Sequence, residues 1–206
     1  MSHHPSLTFN SAQSTEFDEN TPNPVIIFMP EVSRTHMGGT MRLGLRPTVF
    51  EPETEGWSKI RKLYGGAPKI WERHRHRYEV NPEYVEKLVA SGLPFVGKDE
   101  KGERMQVLEL KSLFLRKLAE PILICVVIGH PFFVGLQAHP EFCTRPLNPS
   151  PAFLGFVAAA CVPSVLEEQL EEQVRTFRPP HPEDAMVSED ELRSNTQEHV
   201  LGTGGL

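Results

Sequence analysis

Glu72-Arg-His-Arg-His-Arg-Tyr-Glu-Val-Asn81, closed by Pro82, reads as a polar, β-prone strand running straight into a helix. Successive strand residues point to opposite faces, so His74 and His76 share one face and the intervening arginines the other. Pro82 suits the first helical position and Asn81 its cap, after which Tyr84, Val85, Leu88 and Val89 form one apolar face ended by Gly92. A strand handed directly to a helix points to an α/β chain.

The flanking sequence continues the pattern. Upstream, Val25 to Met29 is a short apolar run that predicts a strand buried on both faces. His36 to Gly44 reads as a glycine-punctuated turn, Arg42 to Phe50 as extended chain, and Trp57 to Tyr64 as a short amphipathic helix stopped by Gly65 and Gly66. Downstream, Leu93 to Val96, Gln106 to Leu110 and Phe132 to Gln137 read as strands, the first two joined by a turn over Asp99 to Gly102. Pro151 to Val162 predicts a helix with Phe153, Phe156, Val157 and Ala160 on its packed side. From about Glu167 the chain becomes acidic and proline-containing, which predicts disorder to Leu206 with at most a weak helix over Leu166 to Val174.

The 206 residues carry 21 Lys+Arg against 27 Asp+Glu, a net charge of -6, which argues against a nucleic-acid or anionic-membrane partner. The longest apolar run, Ile122 to Ile128, falls far below the roughly 20 residues of a spanning helix, and Met1 to Asn10 has no signal-peptide core. A cytoplasmic location follows as the expectation. Three cysteines, Cys125, Cys143 and Cys161, lack metal-like spacing and support no disulfide framework. The histidines around Arg73 to Arg77 sit among arginines that oppose a cation, so hydrogen-bonded structural imidazoles are the expectation there and no metal site is assigned.

His139-Pro-Glu141 carries the clearest chemistry. Two residues apart on extended chain, His139 and Glu141 can share a face, and a carboxylate that accepts the ring N–H turns the other nitrogen into an oriented base. The competing reading is a surface ion pair. For Arg77 the plain reading is one member of a solvated basic strand.

Five segments together resemble the C-terminal part of CTP synthase, a class I (triad) glutamine amidotransferase domain: Ser14-Thr-Glu-Phe-Asp18, Met37-Gly-Gly-Thr-Met-Arg-Leu-Gly44, Glu72 to Asn81, His130-Pro-Phe-Phe-Val-Gly135 and His139-Pro-Glu-Phe142. Their order and most of their spacing match over roughly Ser11 to Ala160. The resemblance implies an α/β fold, the later part of a doubly wound, flavodoxin-like domain with a mostly parallel sheet and disordered termini. It divides the chain into a divergent segment 1–13, a partial amidotransferase domain 14–162 and an acidic tail 163–206.

The resemblance also implies roles. His139 and Glu141 become the second and third members of a Cys-His-Glu triad that releases ammonia from glutamine. Glu16 contacts the substrate amino group and Arg77 its α-carboxylate. The partners implied are glutamine and full-length CTP synthase subunits, tetrameric in the family. ATP, UTP and Mg belong to a synthetase domain that this chain does not carry, GTP is the family's activator, with Arg42 or its loop a possible nucleotide contact, and no cofactor is expected within the chain itself.

Two departures stand out. The family nucleophile, on a tight elbow upstream of Ser14-Thr-Glu16, has no counterpart, so the chain reads as truncated before it and inactive alone. Cys143 lacks the flanking glycines and oxyanion donors of a substitute, while Cys125 and Cys161 read as buried small hydrophobes. Residues 111–129 interrupt a place where the family passes almost directly from Glu109-Leu110 to His130-Pro131. They are either an added element on the core or foreign, aggregation-prone coding sequence.

Overall fold

The computed structural model describes residues 11–29, 42–111, 130–161 and 163–178. The expectations for the N-terminal segment up to residue 10, for most of the His36 to Gly44 turn, for nearly all of the 111–129 insertion including Cys125, and for the tail beyond residue 178 lie outside the described residues.

Two sheets share the chain. β1 (Ala12–Ser14), β2 (Asn23–Phe28) and β5 (Tyr78–Val80) form a three-stranded sheet with β2 in the middle. A five-stranded sheet runs in the order β4 (Lys69–His76), β3 (Arg42–Phe50), β6 (Phe95–Lys98), β7 (Met105–Glu109), β8 (Val134–Leu136). β1 pairs with β2 in parallel, while every other strand pair is antiparallel. The expected mostly parallel sheet is therefore not what the described residues build: β6 and β7 return through the tight Asp99 to Gly102 turn, and β3 and β4 pair antiparallel although α1 lies between them in the chain. β2 also differs from expectation, because its residues are all half-buried rather than enclosed on both faces.

Arg77 is the single residue between β4 and β5, so the basic segment leaves one sheet and enters the other without a loop. Asn81 then caps α2 (Pro82–Ala90): its Oδ1 accepts from Glu83 N at 3.1 Å, and its Nδ2 donates to the Pro24 carbonyl at 2.9 Å, tying the helix start back to β2.

α1 (Lys59–Leu63), α3 (Pro151–Cys161) and α4 (Pro163–Thr176) pack together against the larger sheet. Phe50, Ile60, Leu63, Ile70, Val96, Val107, Phe132, Leu166 and Leu170 form the core. Each such side chain contributes about 1.5–3 kcal/mol by leaving water. A five-residue helix such as α1 cannot hold itself. It is held from outside by Glu109 on β7, whose carboxylate accepts from Ser58 Oγ at 2.6 Å, Lys59 N at 2.8 Å and Ile60 N at 3.4 Å. The carboxylate thus meets the exposed N–H groups and positive end of the helix.

α3 packs by the face opposite to the expected one. Ala152, Gly155 and Ala158 are buried, whereas Phe156 is 65% and Val157 58% exposed. Closeness decides this: a Cβ on Gly155 would lie 2.3 Å from Leu63 Cδ1 and 2.8 Å from Phe132 Cζ, so only a small-residue stripe can face α1. Cys161, expected to be buried, is exposed at the helix end. α4 is the other difference. The weak helix expected over Leu166 to Val174 runs over Pro163–Thr176, with Leu166 and Leu170 inserted in the core at i and i+4 rather than lying in a disordered tail.

Candidate functional site

His139 stands at the start of a single 3-10 turn, Pro140–Phe142, rather than in a strand. Proline suits the first position of such a turn, and the backbone N–H groups of Cys143 and Thr144 both donate to the Pro140 carbonyl at 3.0 Å. The turn is pinned to the basic strand: His139 N donates to the Arg73 carbonyl at 2.8 Å, and Ala138 bridges to His74.

This backbone brings His139 Nδ1 within 2.7 Å of Glu141 Oε1. The pairing expected from the sequence is present, produced by a turn instead of strand alternation. Partial burial works to raise the Glu141 carboxyl, but the hydrogen bond from His139, a backbone N–H and the electrostatic attraction of that ring together hold the group below its ordinary value. A carboxylate accepting from Nδ1–H leaves the imidazole lone pair on Nε2. The side chains of His139 and Glu141 are 34% and 51% exposed, so Nε2 is within reach of a small molecule.

Beneath the turn lies a floor of buried polar groups along one face of β4. His76 Nδ1–H donates to the Tyr78 carbonyl at 3.0 Å and its Nε2 accepts from His74 Nδ1 at 3.2 Å. Burial drives both imidazoles neutral, His74 to a pKa of about 3 and His76 to about 4, helped by the positive charge of Arg42. Further along the face, Glu72 accepts from the Tyr64 hydroxyl at 2.6 Å, and burial raises its carboxyl. Arg42 itself is turned inward, where the Gln106 amide, oriented to satisfy its neighbours, accepts from it at 2.7 Å.

Glu16 and Arg77 flank strands of the smaller sheet. β1 runs parallel to β2 and β5 antiparallel to it, so Glu16, two residues after β1, and Arg77, the residue before β5, lie at the same end, either side of the β2 terminus. Thr15 N donates to the Ile26 carbonyl at 2.9 Å and Met29 N to the Arg77 carbonyl at 2.8 Å, fixing both strands there. Glu16 is exposed and Arg77 half-buried. Arg77 follows Arg73, the anchor of His139, by four residues, about 13 Å of extended chain. The structure thus brings His139 and Glu141 together beside Arg73 of β4, and places Glu16 and Arg77 by themselves at one end of the smaller sheet.

Cys143 follows the turn, with its thiol beside Glu72. Burial and the Glu72 carboxylate push that thiol up, the reverse of what a nucleophile needs. Among the described residues no group of three or more His, Cys, Asp or Glu side chains is arranged to hold a metal ion. Nor, among them, is any helix long and apolar enough to cross a membrane.

No family model matches the chain. Known proteins do. A CTP synthase of Neurospora crassa is 53% identical over 163 residues, which is 78% of this chain and 25% of that protein. CTP synthase 2 of Xenopus laevis is 50% identical over 154 residues, 75% of this chain and 23% of that protein. Among solved structures, the glutaminase domain of Trypanosoma brucei CTPS with bound acivicin superposes with a TM-score of 0.59 at 30% identity, covering 76% of this chain and 53% of that one. The chain is a homologue of the CTP synthase glutaminase domain. It spans about a quarter of the length of the curated CTP synthases it matches.

The mixed sheets with helices described above match that glutaminase domain. Sequence reasoning missed the Glu109 brace and the Tyr64–Glu72 pair. An acidic residue within an otherwise apolar strand, as in Met105–Glu109, was the available signal for the first: burying it requires a cluster of donors. For the second, Glu72 shares the inward face with His74, which the alternation of β4 already implied.

Proposed function

We propose that this chain supplies the substrate clamp and the His–Glu half of a CTP synthase glutaminase site. Glu16 binds the amino group of glutamine and Arg77 its α-carboxylate, a pairing of opposite charges suited to a zwitterion. His139 Nε2 takes the proton of an attacking thiol and returns it to the departing ammonia, while Glu141 holds the ring and stabilises the imidazolium. The observation that carries this reading is the 2.7 Å contact of His139 Nδ1 with Glu141 on a turn pinned to β4. The neutral His74 and His76 are consistent with it, because these two rings place no charge of their own beneath the turn.

In this reading the nucleophilic thiol comes from the upstream elbow of the family: of the two cysteines among the described residues, Cys143 has the wrong electrostatics and Cys161 lies at the far end of α3. The ATP-dependent conversion of UTP to CTP with Mg, and its activation by GTP, are assigned to other parts of the enzyme in a cytoplasmic CTP synthase.

The test is glutamate release from glutamine. The chain alone releases none, whereas mixing it with a polypeptide bearing the upstream half of a CTP synthase glutaminase domain restores release. His139→Ala then lowers the restored rate by about 10²–10⁴-fold, the usual worth of a general base. Restored activity indifferent to His139→Ala overturns the reading.

A second reading, a non-catalytic module that associates with CTP synthase subunits, is favoured by one observation. A groove lined by Phe132, Val134, Leu136, Pro140, Phe153 and Phe156 lies beside β8, the edge strand of the larger sheet. Co-sedimentation with intact CTP synthase that persists in His139→Ala and produces no glutamate supports this reading over the first.

A further inference from the structure

The two sheets meet with little apolar material between them. Among the described residues, no member of the hydrophobic core belongs to β1, β2, β5 or α2, and none of these elements packs broadly against a strand of the larger sheet. Charged side chains bridge the junction instead. Glu79, in the middle of β5 and 8% exposed, extends from the smaller sheet, and Arg104, just before β7, extends from the larger one. Arg104 Nε stands 3.2 Å from Glu79 Oε2 as an ion pair, and its Nη1 donates to Asp99 Oδ2 at 3.3 Å. Asp99 is itself built into the turn, its Oδ1 accepting from the Glu103 and Arg104 N–H groups at 2.8 and 3.1 Å. One carboxylate therefore holds both the root and the head of the Arg104 side chain, which makes it a stiff arm. From β3, the positive charge of Arg42 acts on both carboxylates as well.

This arm acts on the joint between the sheets. Arg77 is the single residue between β4 and β5, and Glu79 lies two residues beyond it. A one-residue joint leaves two soft dihedrals about which the sheets can turn. β4 is fixed in the larger sheet by its register with β3, so the grip on Glu79 fixes β5 relative to it. The His76 bond to the Tyr78 carbonyl spans the joint itself, whereas Arg104 holds β5 from a separate hairpin. A guanidinium spreads its charge over three nitrogens and meets two carboxylates at once, whereas a lysine ammonium is a point charge without that planar fork. We propose that Arg104 is a positioning residue for the glutamine clamp: by tying Glu79 to Asp99 it sets the angle of β5, and so of Arg77, against the strand that anchors His139. The latch between the sheets stands on the ion pairs, and its meaning for glutamine rests on the glutaminase reading.

Two measurements separate those parts. Spin labels at Glu86→Cys on α2 and Glu168→Cys on α4, both exposed positions, report the separation of the two sheets by pulsed electron paramagnetic resonance in the full chain with its three native cysteines replaced by serine. One narrow distance distribution is expected with Arg104 and Glu79 in place, and a broader or shifted one in Arg104→Lys and in Glu79→Gln. Both variants keep a cooperative melt, because the core lies away from these side chains. In the glutamate-release mixture, each variant raises KM for glutamine about tenfold or more, the worth of one charge-assisted contact, and leaves kcat within about twofold. The double variant adds no more than about twofold to either single one. Distances unchanged in both variants, a cooperative melt lost in both, or kcat falling at constant KM overturns the proposal. A mixture that releases no glutamate with the unaltered chain overturns the glutaminase reading instead, and the distance measurement then decides the latch by itself.

Discussion

Acidification from pH 7 to pH 5 isolates the contribution of the imidazole floor under the candidate site. His74 is 2% exposed and titrates near 3 in the folded chain, against an ordinary value of 6.5. A base whose folded pKa is depressed contributes stability that is present above its unfolded pKa and is lost as the pH falls towards the folded one. Between pH 7 and pH 5 the unfolded ring takes up nearly a full proton while the folded ring stays neutral. Integrating the linkage relation gives a loss of about 2 kcal/mol for one such ring. His76, near 4, contributes a similar loss. Glu72 and Glu109 act with the opposite sign: burial raises both, so above the ordinary carboxylate value falling pH favours the folded state through them. A difference measurement removes their contribution. In urea denaturation followed by near- and far-ultraviolet circular dichroism, His74→Asn, whose Nδ2 replaces the Nδ1 donor to His76, is less stable than the unaltered chain at pH 7. That gap narrows by about 2 kcal/mol at pH 5, about 1 M urea in the midpoint. A gap that is constant with pH, or that widens in acid, refutes a buried neutral His74.

Three further outcomes test the packing. Glu109→Ala strips three donors at the start of α1 of their acceptor and lowers unfolding free energy by about 3–5 kcal/mol, read from the urea midpoint. Leu170→Ala costs about 2–5 kcal/mol if α4 belongs to the core, and a change under about 0.5 kcal/mol would place the helix outside it. Gly155→Ala sets two effects against each other: helix propensity favours alanine by about 1 kcal/mol, whereas overpacking against Leu63 and Phe132 costs about 1–3 kcal/mol. The packing effect is expected to win, so a raised melting temperature would contradict the close approach of α1 and α3.

The strands other than β1, and α2, were legible in the sequence because short-range signals control them: Asn81-Pro82 marks a helix start whatever surrounds it, and Asp99 to Gly102 closes a hairpin through local turn chemistry. Pairing direction was not, because it depends on which distant strand lies alongside, as with β8 against β7 across twenty-four intervening residues. The face of α3 was misread for a related reason. Hydrophobicity favours burying Phe153 and Phe156, but α1 approaches too closely for an aromatic ring, and that distance is a property of two helices together. At the site, the His139–Glu141 pair was visible in spacing alone. The gathering of Glu16 and Arg77 at one end of the smaller sheet needed the register of β1, β2 and β5.

The Glu109 brace also orders events in time. α1 is far below the length at which a helix persists in water, and its first N–H groups are satisfied by a carboxylate fifty residues later in the chain. Closing so long a loop is an entropic cost that only the docked β6–β7 hairpin can offset. α1 therefore completes after that hairpin, not before it, although it is synthesised first. In the native state the amides of Lys59 and Ile60 exchange with solvent whenever β7 detaches, so their protection measures the opening of a strand rather than the fraying of their own helix.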